Sequence, residues 1–137
     1  MLSRVTYDNV YYTHQGWLTV DQSHLFLDDE LDESNGPDAN TRTLIWDVSS
    51  LRDPQLVDSF FSTEESIDHN QYVNGTHIYQ ANYCAGLRVL EIDQSGTTVG
   101  LTETGFFKVA LARRIATVAA TCSLLRSGDG TSHRLTA

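Results

Sequence analysis

An all-β fold made of two successive four-stranded units is what this sequence predicts, and three observations predict it. Short β-branched and aromatic runs recur along most of the chain, each closed off by Asp, Asn, Gly, Pro or Ser. The runs fall into two successions whose residues superimpose on one another. The 137 residues, 40% hydrophobic with 6 Tyr, 5 Phe and 2 Trp, are enough to bury a core and too apolar to remain disordered.

The first succession opens with Val5-Thr6-Tyr7 and Val10-Tyr11-Tyr12-Thr13, then continues through WLT at 17–19, HLFL at 24–27, LIWDV at 44–48 and VDSFF at 57–61. All are runs that suit a pleated, half-buried surface. The second consists of QYV at 71–73, HIYQ at 77–80, LRVLEI at 87–92 and TTVGLT at 97–102. Between its first two runs stands Asn74-Gly75, the strongest short-range hairpin signal in the chain.

His14-Gln15-Gly16-Trp17-Leu18 matches His69-Asn70-Gln71-Tyr72-Val73 at an offset of 55, and His24-Leu25-Phe26 matches His77-Ile78-Tyr79 at 53. Ile45-Trp46-Asp47-Val48 then matches Val89-Leu90-Glu91-Ile92 at 44, the difference being an extra acidic loop over residues 31–41. A period of roughly 45 to 55 residues with four strands per unit is the signature of β-propeller blades, four-stranded antiparallel sheets set around an axis. The spacing places two blades over about residues 5–61 and 67–106, within a unit spanning 1–106, and a short non-propeller tail over 107–137.

The strings HQGWLTVDQ (14–22), DDELDE (28–33), TRTLIWDVS (41–49), IDHNQYV (67–73) and ANYCAGLRVLEI (81–92) resemble the LVIVD-repeat proteins of the choice-of-anchor B group, bacterial β-propellers that are secreted or surface-anchored. The likeness covers about residues 5–106. By itself it implies a non-catalytic surface or scaffold module. Members of that group are several times longer, so the chain resembles an internal fragment beginning within a blade. The tail does not continue the pattern, and Cys84 stands where a larger polar residue is expected.

Charge divides the chain at the same boundary. Residues 1–106 carry 4 basic and 17 acidic side chains, whereas 107–137 carry 5 basic side chains and only Asp129. The total of 9 Lys and Arg against 18 Asp and Glu gives −9, the wrong sign for a nucleic-acid partner. The tail's spacing of Val109, Ala112, Ile115, Ala116, Ala119 and Leu124 predicts a short basic helix. No run is long enough for a membrane span, and the first residues lack the apolar stretch of a signal peptide.

Two blades cannot close a ring that needs roughly four to eight, and left alone they would expose apolar faces and strand edges. Self-association is the expected remedy, with a homotrimer of two-blade chains making a six-bladed ring. In such a ring the first strand of each blade borders the central channel, which puts His14 and His69 beside the axis. Gln15, Asp68 and Asn70 sit beside them, with Asp29 and Glu30 at the end of the second strand of the first blade. The expected site is therefore a divalent metal (Zn, Mn or Ca) held by His14, His69, Asp29, Glu30 and Asp68, because imidazoles favour zinc-like ions and a preponderance of oxygen favours calcium. The competing expectation is that the two histidines are hydrogen-bonded residues tying blade to blade.

A metal with an open position activates water and polarises a carbonyl or phosphoryl oxygen. On that ground the sequence leans to a promiscuous metal-dependent hydrolase of small-molecule esters or phosphotriesters, with His14 and His69 catalytic. The alternative is the non-catalytic module. The acidic loop fails the EF-hand pattern, since Leu31 and Arg42 fall at its first and twelfth places, so it reads as a solvated loop. Cys84 and Cys122 read as buried free thiols, with Cys84 a second nucleophile candidate using His69 as base. No G-x-S-x-G, H-E-x-x-H or Gly-rich phosphate loop occurs.

Overall fold

The computed structural model describes residues 1–108; the tail beyond, with its expected helix, lies outside the described residues. Eight strands form two four-stranded antiparallel sheets, each a meander in chain order. The first holds β1 (Thr13–Leu18), β2 (His24–Asp29), β3 (Asn40–Asp47) and β4 (Gln55–Glu65). The second holds β5 (Asn70–Asn74), β6 (His77–Asn82), β7 (Gly86–Asp93) and β8 (Gly100–Phe107). A short helix, α1 (Asp32–Asn35), interrupts the β2–β3 connection.

The pairing register matches the sequence superposition. Asp47 opposes His24 and Glu91 opposes His77, so β3 and β7 are equivalent at the offset of 44 read from the sequence. Asn74 pairs with His77 across a tight turn in which Gly75 has φ of 61°, a conformation that glycine adopts without steric cost.

The sheets face each other. Phe26 and Ile45 from the first pack against Ile78, Leu90 and Ile92 from the second and Val99 beside it, with Phe60, Val73 and Leu101 at the margins. The sheets approach most closely along β1 and β5 and only lightly along β4 and β8. This is a wedge, as expected of adjacent blades. Nearer the β1–β5 edge the interface turns polar: buried Gln80 on β6 donates to Thr43 on β3, whose hydroxyl donates to Asp28 on β2 at 3.2 Å.

Two expectations are corrected. Residues 5–12 form no strand, because their bonds go to side chains: Asp29 accepts from the Tyr11 amide at 2.8 Å, the Tyr12 amide and the Tyr7 hydroxyl at 2.9 Å. Tyr7 also meets Trp46 edge-on at 6.0 Å, so the segment covers the side of the first sheet turned away from the second. The acidic loop is not solvated either. Asp32 and Glu33 on α1 are buried, fastened by Arg42, whose Nε donates to Asp32 at 2.7 Å and whose backbone N–H donates to Glu33 at 3.3 Å.

Candidate metal centre

β1 and the residue before β5 carry the two repeat-equivalent histidines, and the wedge brings them together. Their rings stack at 4.6 Å between centroids, 29° from parallel. Tyr12 stacks on the other face of the pair at 5.6 Å from His14, and Tyr83 meets His69 edge-on at 5.4 Å. Repeat equivalence thus becomes physical contact: Trp17 likewise meets Tyr72, at 4.9 Å.

Glu30, next after β2, completes the centre. Its Oε2 lies 3.5 Å from His14 Nδ1 and its Oε1 lies 3.9 Å from His69 Nε2. One ligand atom from each of His14, Glu30 and His69 fits within a 4.8 Å limit, the one such triad among the described residues. A tetrahedral ion with bonds of about 2.0 Å sets its ligands roughly 3.3 Å apart, so these separations suit it after small rotations. Asn70 Oδ1 accepts from His14 Nε2 at 3.2 Å, which leaves the Nδ1 lone pair turned to Glu30, the orientation metal-ligating imidazoles need from their outer partners. The Tyr83 hydroxyl donates to Glu30 Oε1 and fixes that carboxylate. Burial, reinforced by that bond, pushes the Tyr83 phenol up to about 12, so it stays a donor. Tyr83 also takes an uncommon positive φ of 28°.

The amide of Gln15 fastens the edge. Its Nε2 donates to the Gln71 carbonyl at 2.9 Å and its Oε1 accepts from the Gln71 N–H at 2.7 Å, a side-chain copy of a strand-to-strand bridge.

Of the five expected ligands, His14, His69 and Glu30 meet and two do not. Asp29 gives both oxygens to residues 7–12. Asp68 is instead fully buried, outside the triad, and neither of its oxygens has a partner. Burial, then the neighbouring charges of Asp28, Asp32, Asp29 and Glu30, raise its pKa to about 10. Burial and then Asp68 raise Glu33 to about 10, and burial raises Asp28 well above the carboxylate range. Cys84, expected as a free thiol and second nucleophile, is disulfide-bonded, and a disulfide sulfur carries no thiolate.

His24 and His77 bond to the residues before them, Nδ1 to Ser23 Oγ at 2.8 Å and to Thr76 Oγ1 at 3.2 Å, as matched turn contacts. The sequence places Asn70 beside the histidines but gives it no role, and Tyr83 was passed over as part of the centre. No family model, curated protein or solved structure matches the chain.

Proposed function

We propose that the chain is a two-blade β-propeller module of the LVIVD-repeat kind, whose His14, His69 and Glu30 hold a zinc-like divalent ion for hydrolysis of esters or phosphotriesters. The observation that carries the reading is the convergence of those three ligand atoms at the inner edge of the wedge. Two nitrogens and one carboxylate oxygen leave coordination positions open, as in catalytic rather than structural sites. When bound, the ion would supply an activated water and a Lewis acid for the substrate oxygen. The chain's own residues do the rest: Asn70 orients His14, Tyr83 orients Glu30, and Tyr12 shields the open face of the imidazole pair.

A substrate pocket needs further walls. A cleft of about 530 Å³ is lined by Gly16, Trp17, Leu18, Val20 and Leu25, at the far end of β1 from His14. Ring closure by further copies, a trimer in the six-bladed case, would supply the missing walls at the axis. It is supported by Tyr79 and Leu87, exposed on the side of the second sheet turned away from the first, and by exposed Phe107 opposite Leu87. The non-catalytic module has one observation in its favour, since Asn70 and Tyr83 already give His14 and Glu30 hydrogen-bond partners without any ion.

The test is turnover of an activated ester and of an aryl phosphotriester. Chelation should abolish it, Zn2+ or Mn2+ should restore it, and His14→Ala or His69→Ala should lower kcat/KM at least a hundredfold. Unchanged turnover in both substitutions discards the site.

A further inference from the structure

We propose that the side of the first sheet turned away from the second is a docking face for the second sheet of another copy of this chain, and that residues 7–12 are a strap lying across it. The proposal rests on ring closure by further copies, and adds where a copy seats and what it displaces.

The repeat makes the two outer faces complementary. Successive side chains of a strand point to opposite faces, so Phe26 and Ile45, opposed in register, face the second sheet, whereas Leu25 and Trp46, also opposed, face away. At the repeat offsets of 53 and 44, Leu25 and Trp46 are the equivalents of Ile78 and Leu90, which the second sheet presents to the first. The outer face of the first sheet is thus a counterpart of the surface that receives Phe26 and Ile45. On the outer face of the second sheet, Tyr79 stands where the first sheet has Phe26, Val89 where it has Ile45, and Tyr72 where it has Trp17. Tyr72 and Tyr79 are exposed. One copy therefore fits the next in the way the two sheets of a chain fit each other.

The strap occupies the receiving face. Trp46 is only 5% exposed, and Tyr7 meets it edge-on at 6.0 Å. Side-chain bonds hold the strap in place of a strand ladder. Asp29 accepts from the Tyr7 hydroxyl and from the Tyr11 and Tyr12 amides, and two nitrogens of Arg42 donate to the carbonyls of Asp8 and Asn9 at 3.3 and 3.1 Å. Val10, Tyr11 and Tyr12 stay exposed, so the strap covers apolar surface while leaving its own apolar side chains in water. A second sheet in its place buries more apolar area.

The strap also reaches the histidine centre. Tyr12 stacks on His14 at 5.6 Å, and its carbonyl accepts from the Glu30 N–H at 3.0 Å. A copy that lifts the strap takes Tyr12 off His14, and the repeat brings that copy's His69 to the ring so uncovered. The contact that replaces Tyr12 is the one His14 and His69 make at 4.6 Å inside each chain.

Full-length protein is followed by sedimentation equilibrium and by amide hydrogen exchange. Tyr7→Ala removes the ring over Trp46 and one bond to Asp29, and should lower the concentration of half-assembly roughly tenfold, the equivalent of one hydrogen bond lost from the competing strap. Tyr79→Lys should raise that concentration in the parent and in the Tyr7→Ala background. Should Tyr7→Ala fail to fold, exchange on the unmodified protein carries the test. The Tyr11 and Tyr12 amides, released from Asp29, should exchange roughly tenfold faster in the assembled protein than in the single chain, although assembly buries surface. A folded Tyr7→Ala variant that assembles no more readily than the parent overturns the strap, as do Tyr11 and Tyr12 amides that keep or gain protection on assembly. Assembly that ignores Tyr79→Lys overturns the docking face while leaving ring closure standing. A parent and a Tyr7→Ala variant that both remain single chains at millimolar concentration overturn ring closure itself and the docking face with it.

Discussion

The Gln15 amide presents an N–H and a C=O at the spacing of a peptide group, and Gln71 answers with its own backbone pair. Gln15→Leu removes both partners from the buried Gln71 backbone and should cost about 2 kcal/mol, read from urea midpoints. Gln15→Glu keeps the acceptor but turns a carboxylate oxygen toward the Gln71 carbonyl, so it should be destabilising too, and more so at pH 7 than at pH 4. The Tyr83 hydroxyl bonds to Glu30, whereas its ring packs against His69. Tyr83→Phe keeps the ring against His69 while freeing the carboxylate, and should weaken Zn2+ binding roughly 10- to 100-fold with a much smaller effect on Tm. The histidine pair was legible in the sequence because the repeat put both at one position of the unit. Asp29 was misplaced because its partners are the amides of Tyr11 and Tyr12, and a bond to a backbone amide leaves no trace in residue identity. Tyr83 was missed because its role rests on an unusual φ, which sequence pattern does not carry.

Among the elements, the strands were legible wherever apolar residues alternated with polar ones, as in β7, where buried Leu90 and Ile92 alternate with exposed Glu91 and Asp93. Residues 10–13 have a strand-like composition and form no ladder before Thr13, since the amides of Tyr11 and Tyr12 are taken by the Asp29 side chain. α1 was illegible for a different reason. Its four residues carry two acids that local rules put in water, and only Arg42 and the facing sheet draw them inside. At the start of β7, Gly86 has φ of 74°, and a Cβ there would collide with the Phe107 carbonyl on β8. Gly86→Ala should therefore destabilise by about 2 kcal/mol or more and release β8 first, seen as faster amide exchange at residues 100–107 than in β6.

At the scale of the molecule, the buried acids set the response to pH. Glu33 and Asp68, raised to about 10, and Asp28, raised further than an ordinary carboxyl by burial, keep protons in the folded chain that the unfolded chain releases near pH 4. The folded state then binds more protons, so these groups contribute stability that is present below the unfolded carboxylate range and is lost as pH rises. Urea midpoints should drop between pH 5 and pH 8, and Asp68→Asn, which cannot release that proton, should flatten the decline. Sedimentation equilibrium tests ring closure: a mass of three chains at micromolar concentration is expected, and Tyr79→Lys on the outward side of the second sheet should shift it toward one chain.

The inner edge of the wedge is fixed by the Gln15 bridge, whereas its outer rim rests on charge. Glu64 of β4 reaches Arg88 of β7 at 3.2 Å and Lys108 at 3.1 Å, across the gap between the sheets. Lys108 first, and Arg88 with it, hold the Glu64 carboxyl below its usual range. One side therefore behaves as a hinge pin and the other as an electrostatic latch, partly open to solvent and weakened by dissolved salt. Dissolved salt should therefore loosen the outer rim while leaving the inner edge pinned.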